Sequence, residues 1–368
     1  MLLKIFYLIT LIFILFGFLA PKLKPLAFFQ IVWLWIIMSF NTYGMDYPGN
    51  YFVYETTLVS DINFLGLGWA YRGLGVLFRL NGLSFQEMEA LVVGISLLIL
   101  LFLAYKTTNM PSFFISIFYI YPFIDSAIQR RFFPSMMFVL LAIYFCIMHR
   151  RFWFVKYAIC IYIACGFHFT GLFFIPVFLI YYIKRKTLFV AVFFSTLAGL
   201  ALANNLSSIL SIFIPASKVD FYLGIAGVEL WKGMVFIFQI LIFIFLVYKI
   251  ENHPVLESSV FREKSDDVIM KLNYYCALTL PALTFDMVFT RFLRVAFILN
   301  YGLLLSRFQS PYKAKTKVFY LFWAYIAYLF LWSFLNIFVL GNNSFDVLVK
   351  PFFVNNLFFN YWGVPSKI

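Results

Sequence analysis

The sequence predicts an all-α integral membrane protein of about 12 transmembrane helices, some of them short. A long external loop at 42–88 is expected to contain an interfacial or re-entrant helix. Three observations carry this. The 368 residues are 64% hydrophobic and only 12% charged, whereas a soluble core needs far less apolar surface and a spanning helix uses about 20 such residues. The apolar residues come in runs separated by short loops. The positive charge is gathered in those loops, as membrane topology requires.

The runs lie near 4–20, 26–41, 89–105, 111–125, 132–148, 153–167, 169–183, 187–203, 233–249, 273–289, 292–307 and 318–340. The first resembles a signal peptide, with Lys4 ahead of an apolar stretch ending at Ala20. Phe18 and Pro21 around the would-be cut disfavour cleavage, so it reads as the first span. The segment 66–80 is too polar and Gly-rich for a span, which leaves it interfacial or re-entrant. Pro176 and Pro281 fall within runs, where proline kinks a helix. Cys146, Cys160, Cys165 and Cys276 all sit in apolar runs, so no disulfide framework is expected. The sequence contains no internal repeat, and 1–368 reads as one polytopic membrane domain.

Orientation follows from lysine and arginine. One set of loops holds 17 of the 28, including Lys22, Lys24, Lys106, Arg150, Arg151, Lys184–Lys186, Lys271 and Lys313–Lys317; that set is therefore cytoplasmic. The net charge of +13 is thereby topogenic, and nucleic acid is not an expected partner. External segments at 42–88 and 204–232 follow, joined by the tail 341–368. The loop 250–272, mixed in charge, reads as a solvated cytoplasmic linker.

Against that rule, Arg72, Arg79, Arg130, Arg131, Arg291 and Arg294 map near the outer face. Charge at the ends of apolar spans is costly and marks an anionic partner or a polar cavity. Arg291 and Arg294 lie on one helical face at i, i+3, and two guanidiniums side by side repel unless an anion bridges them. Arg130 and Arg131 are adjacent and so point in different directions on a helix. One binds substrate while the other pairs with Asp125 or reaches interfacial water. Tyr71-Arg72 with Arg79 is the weakest group, as consistent with anchoring as with binding. The loop Asn41–Tyr51, around Gly44, Asp46, Tyr47, Pro48 and Gly49, reads as a polar, aromatic turn; with Glu55 it suits sugar, since carboxylates take hydroxyls and rings stack on C–H faces. His168, in Gly166-Phe167-His168-Phe169-Thr170-Gly171, is the one histidine within an apolar stretch, placed as a general base would be. A structural histidine fits that position too.

No P-loop, no Cys/His cluster and no Asp-x-Asp motif occurs, which disfavours a nucleotide-sugar enzyme facing the cytoplasm. No cofactor and no metal is expected.

Taken together, Gly44-Met-Asp46-Tyr47 with Asn50-Tyr51, Gln129-Arg130-Arg131 before the fifth run, Phe167-His168-Phe169-Thr170 between two short runs, and Arg291 near a late run resemble the EpsG-type, Wzy-like polysaccharide polymerases. The order of these features is the family's, over most of the chain. Two departures stand out: Gln129-Arg130-Arg131 replaces the usual Arg-Gln-like pair, and Gly68-Trp69-Ala70-Tyr71 stands where the family often has Glu-Pro. The resemblance implies a membrane glycosyltransferase that joins oligosaccharide repeat units carried on undecaprenyl diphosphate. It would act at the outer face of the bacterial inner membrane, with membrane lipid and a chain-length regulator as partner candidates. In that reading Arg130, Arg131, Arg291 and Arg294 bind pyrophosphate and gather in one external pocket. His168 or Asp46 is the base, and Tyr47, Tyr51, Glu55 and Gln129 hold sugar. The alternatives are a flippase of the same lipid-linked unit and a ligase. A flippase should show two related halves, and the middle spans here are almost free of charge.

Overall fold

The computed structural model describes residues 2–44, 46–201, 230–252, 260–284, 289–307, 317–340 and 344–361. Among them the chain is helical, with one isolated antiparallel bridge between Asn41 and Asn356. Three helical stretches are long and apolar enough to cross a bilayer, Phe85–Thr107, Gly233–Glu251 and Phe319–Val339. Six further apolar helices are shorter. Contacts divide the chain into two compact units. The first holds Met1–Ile175 and Leu329–Ile368 with Phe308–Lys315, and the second Pro176–Arg307 and Thr316–Tyr328.

The first unit starts with α1 (Leu2–Leu19) and α2 (Lys24–Ser39), two apolar helices joined by a four-residue connection. Next come α3 (Tyr47–Thr56), α4 (Trp69–Leu80) and the long α5 (Phe85–Thr107). Ser84 caps α5: its hydroxyl accepts from the Glu87 N–H, while the Glu87 carboxylate accepts from the Ser84 N–H at 2.6 Å, which fixes where the helix begins. Then follow α6 (Pro111–Ile120), α7 (Phe123–Ile128), α8 (Phe132–Met148) and α9 (Trp153–Phe167). The tail forms three short helices, α15 (Phe345–Leu348), α16 (Pro351–Val354) and α17 (Leu357–Tyr361).

The two ends of this unit are distinct. At one, the tail docks on the first loop. Thr42 N–H donates to Asn355 O at 2.7 Å, Leu357 N–H to Phe40 O at 2.9 Å, and Phe359 stacks on Phe6 at 4.1 Å. At the other, Ser112 N–H donates to Pro21 O at 3.2 Å and the Tyr105 hydroxyl to Lys24 O at 3.0 Å. The connections after α1 and α5 therefore meet at one end, and the first loop, the tail and the start of α1 at the other.

The second unit contains α10 (Arg185–Ala201), α11 (Leu230–Glu251), α12 (Val260–Ala277), a short 3-10 helix (Leu280–Thr284) and α13 (Thr290–Ser306), with the first part of α14 (Lys317–Phe334). A buried pair of amides clasps α12 to α13: Asn273 and Asn300 each donate to the other's side-chain oxygen, at 3.0 and 2.8 Å. Each thereby satisfies a polar group that would be costly in an apolar surround.

Four expectations change. The turn through Pro48-Gly49 is the first turn of α3, where proline is favoured because its missing N–H has no helical partner anyway. The run 111–125 breaks after Ile120 into α6 and a six-residue α7. The run 169–183 is a 3-10 helix over Phe169–Tyr182; at about 2.0 Å per residue it extends further than an α-helix of the same length. α12 runs across the expected boundary between the linker 250–272 and the run 273–289, from Val260 to Ala277; 253–259 and 285–288 lie outside the described residues. Its described charges are paired: Arg185 bridges Glu251 at 2.6 Å and Asp267 at 2.5 Å, Lys271 reaches Asp267 at 2.7 Å, and the buried Arg307 meets Asp266 at 2.5 Å. The segment 66–80 does contain a short helix, α4. The external segment 204–232 lies outside the described residues except for its last three, which open α11, and Asp286 lies outside them too.

Candidate functional site

The site of the first unit is built around a carboxylate that the sequence reading did not single out. Glu89 is fully buried in the first turns of α5. One of its oxygens accepts from the Tyr71 hydroxyl of α4 at 2.7 Å, and the other from Arg130 Nη1 at 3.1 Å. Arg130 also donates to the backbone carbonyl of Asn41, and its guanidinium lies 4.8 Å from the centre of the Tyr47 ring on α3. A buried guanidinium needs such partners: a charge taken out of water without them costs several kcal/mol. Burial, then the nearby Glu89 charge and its hydrogen bond, push the Tyr71 phenol well above its ordinary pKa, so it stays a donor at every physiological pH. Together the four groups tie α3, α4, α5 and the start of α8 into one frame.

Arg131 differs. It is exposed, its guanidinium lies 5.8 Å from the face of Tyr71, and no described carboxylate forms an ion pair with it. Neither arginine lies within a helix: both fall in the turn just before α8, one buried and one exposed. The partner of the buried one is Glu89, not Asp125. Glu89 is thus taken up by Arg130, while Arg131 stands exposed beside the Tyr71 ring.

His168 stands beside this helix start. Its ring packs edge-on against Phe132, the residue after Arg131, with centroids 5.8 Å apart. The Thr170 N–H donates to His168 Nδ1 at 3.3 Å, and the Thr170 hydroxyl is 2.9 Å from the same nitrogen. A nitrogen that accepts an N–H carries no proton, so the neutral ring holds its hydrogen on Nε2. His168 is accordingly set up as a donor at Nε2.

α3 turns the sugar-binding candidates into a surface. Tyr47, Tyr51 and Glu55 follow at four-residue intervals and line one face. The Tyr47 and Tyr51 rings are stacked, 6.2 Å apart and 6° from parallel. Tyr51 hydrogen-bonds the Glu55 carboxylate, and this bond, followed by that negative charge, raises its phenol pKa. Asp46 occupies the position before the helix, and its side chain makes no capping hydrogen bond to α3. Gln129 ends α7, its N–H bonded to Asp125 O at 3.0 Å.

Arg72 and Arg79 both donate to backbone carbonyls. Arg79 donates to the carbonyls of Tyr54 (2.7 Å), Glu55 and Thr57, and so closes the C-terminal end of α3, where carbonyls lack helical partners. Arg72 donates to the carbonyls of Leu67 and Gly68. Arg291 and Arg294 open α13 in the second unit, the first half-buried and the second buried.

A model of the EpsG family matches residues 24–345. The chain belongs to the EpsG family. This is a Wzy-like, polysaccharide polymerase-type family, and with its apolar helices the chain is a membrane protein of polysaccharide biosynthesis. No curated protein and no solved structure gives a significant match. Within this EpsG-family chain, the matched region covers the whole Glu89–Arg130–Arg131 cluster, His168 and the face of α3.

Proposed function

We propose that this EpsG-family protein polymerises oligosaccharide repeat units carried on undecaprenyl diphosphate, at the outer face of the bacterial inner membrane. The observation that carries the reading is the division of labour at Arg130-Arg131. Arg130 is a positioning residue, its charge taken up by Glu89, and Arg131 supplies the surplus charge for a phosphate of the donor. Arg291 and Arg294 serve as a further basic pair for the substrate's phosphates. In the transfer, an acceptor hydroxyl oxygen bonds to the donor's anomeric carbon. The bond from that carbon to the pyrophosphate breaks, and the lipid diphosphate leaves with the electron pair. The hydroxyl proton passes to Asp46. His168, with its hydrogen on Nε2, donates to the leaving group. Fixed cationic and N–H donors of this kind stabilise charge as it develops. Tyr47, Tyr51, Glu55 and Gln129 hold sugar.

The test replaces the gene in its host with Arg131→Ala, His168→Ala and Arg291→Ala at matched expression and measures product chain length. The expected result is a single repeat unit on the surface. Full-length polymer from all three removes the site. A flippase would instead leave its substrate inside the cell, and a ligase would leave no displayed product.

A further inference from the structure

Tyr47 has a second neighbour besides Arg130. Beside its ring lies a cavity of about 330 Å³, walled by Tyr43, Tyr47, Ile128, Val347, Leu348 and Phe352. One wall comes from the loop before α3, and one from the residue just ahead of Gln129-Arg130. The third comes from α15 and α16 of the tail, past the family-matched residues 24–345. Tyr43 and Val347 are close to half exposed, while Leu348 and Phe352 are buried, so the cavity has an accessible rim and a fixed floor. The tail is held there by the Thr42–Asn355 and Leu357–Phe40 hydrogen bonds.

We propose that this cavity takes a sugar ring of the lipid-linked repeat unit, and that Val347, Leu348 and Phe352 determine which sugar fits. The inference rests on the polymerase reading above. Three features favour a sugar. Its volume is at the small end of ligand sites, about 300–1,000 Å³, the size of a mono- or disaccharide rather than a polyprenyl chain. Its wall includes two tyrosine rings, which stack on sugar C–H faces and carry hydroxyls for hydrogen bonds. It also shares Tyr47 with the arginine frame, so a sugar bound there sits next to the charge that its own pyrophosphate needs. A wall outside the matched region gives this chain a means of choosing its sugar while keeping the arginine frame intact.

The experiment uses the purified full-length protein in detergent and the free repeat-unit oligosaccharide released by mild acid from the host's lipid-linked pool. Binding is followed by saturation-transfer NMR. Val347→Trp fills the cavity and Val347→Ser keeps it open, and the melting temperature of each is measured alongside. The expected result is at least a tenfold loss of oligosaccharide affinity in Val347→Trp, near-native affinity in Val347→Ser, and native melting for both. Tyr43→Ala should weaken binding in the same direction. Unchanged binding in Val347→Trp and Tyr43→Ala overturns the proposal. So does displacement of the oligosaccharide by undecaprenyl monophosphate, which would make the cavity a lipid site. If Val347→Trp loses the oligosaccharide while Arg131→Ala still makes full-length polymer, the sugar cavity stands and the polymerase site fails.

Discussion

Two clusters of arginine with carboxylate among the described residues differ in how their charges are paired. In the second unit, Arg185, Lys271 and Arg307 face Glu251, Asp266 and Asp267: three cations meet three anions, and every charge is used to hold α10, α11, α12 and the end of α13 together. In the first unit, Glu89 pairs with Arg130, and the Arg131 guanidinium stands at the exposed position beside Tyr71, with no ion pair among the described residues. Arginine content alone does not separate the two. The surplus does, because a structural cluster gains nothing from an unbalanced charge near an apolar layer, whereas an anion site requires one.

The largest effect should come from the surplus charge itself. Arg131→Ala is expected to lower the rate of polymerisation by about a hundredfold or more, the scale of removing one donor from a developing negative charge, with little change in melting temperature. The reverse pattern is expected at its neighbour. Glu89→Ala strands the buried Arg130 guanidinium and should destabilise the protein by about 3–5 kcal/mol, read by thermal unfolding in detergent. The double variant Glu89→Leu, Arg130→Met should recover most of that loss, since a buried pair replaced by apolar side chains is often neutral. Stability regained together with activity would make Arg130 purely structural. Stability regained without activity would show that it also orients the site.

Smaller effects test the structural roles. Arg79→Ala removes the donors that close α3 and should cost about 1–3 kcal/mol, and Arg79→Lys should recover part of it. In the balanced cluster, burial pushes the Asp267 carboxyl up, but hydrogen bonds from Lys271 and Arg185 and their charges outweigh this and hold it below its usual value. A carboxylate whose pKa is depressed by folding adds stability above its unfolded pKa, about 3.9, and loses it as pH falls through the folded value. Melting temperature should therefore drop below about pH 4, and Asp267→Asn should flatten that drop. Asp267 is half exposed, so the change will be small.

Much of this was legible in the residues. The apolar runs 132–148 and 153–167 coincide with α8 and α9, because charged or polar residues bracket both. Arg130, Arg131 and the Asp46–Tyr51 motif, singled out in the sequence, fall in the region of the proposed site. What stayed hidden depended on pairing. Asp266 and Asp267 of α12 looked solvated because their partners Arg307 and Arg185 come from elsewhere in the chain. Glu89 stood at the start of an apolar run, and a carboxylate there calls for a partner by default. Pro48-Gly49 reads equally as a turn or as a helix start, and only packing of the buried Asn50 and Tyr54 decides for the helix. The choice between Arg130 and Arg131 could not be made without knowing which faces Glu89.

The most direct measurement is the affinity of undecaprenyl diphosphate for the purified protein in lipid nanodiscs, with native Arg131 and with Arg131→Gln. A site that keeps its surplus charge for pyrophosphate should lose at least about tenfold in affinity, with unfolding unchanged. Equal affinity in the two proteins would contradict it.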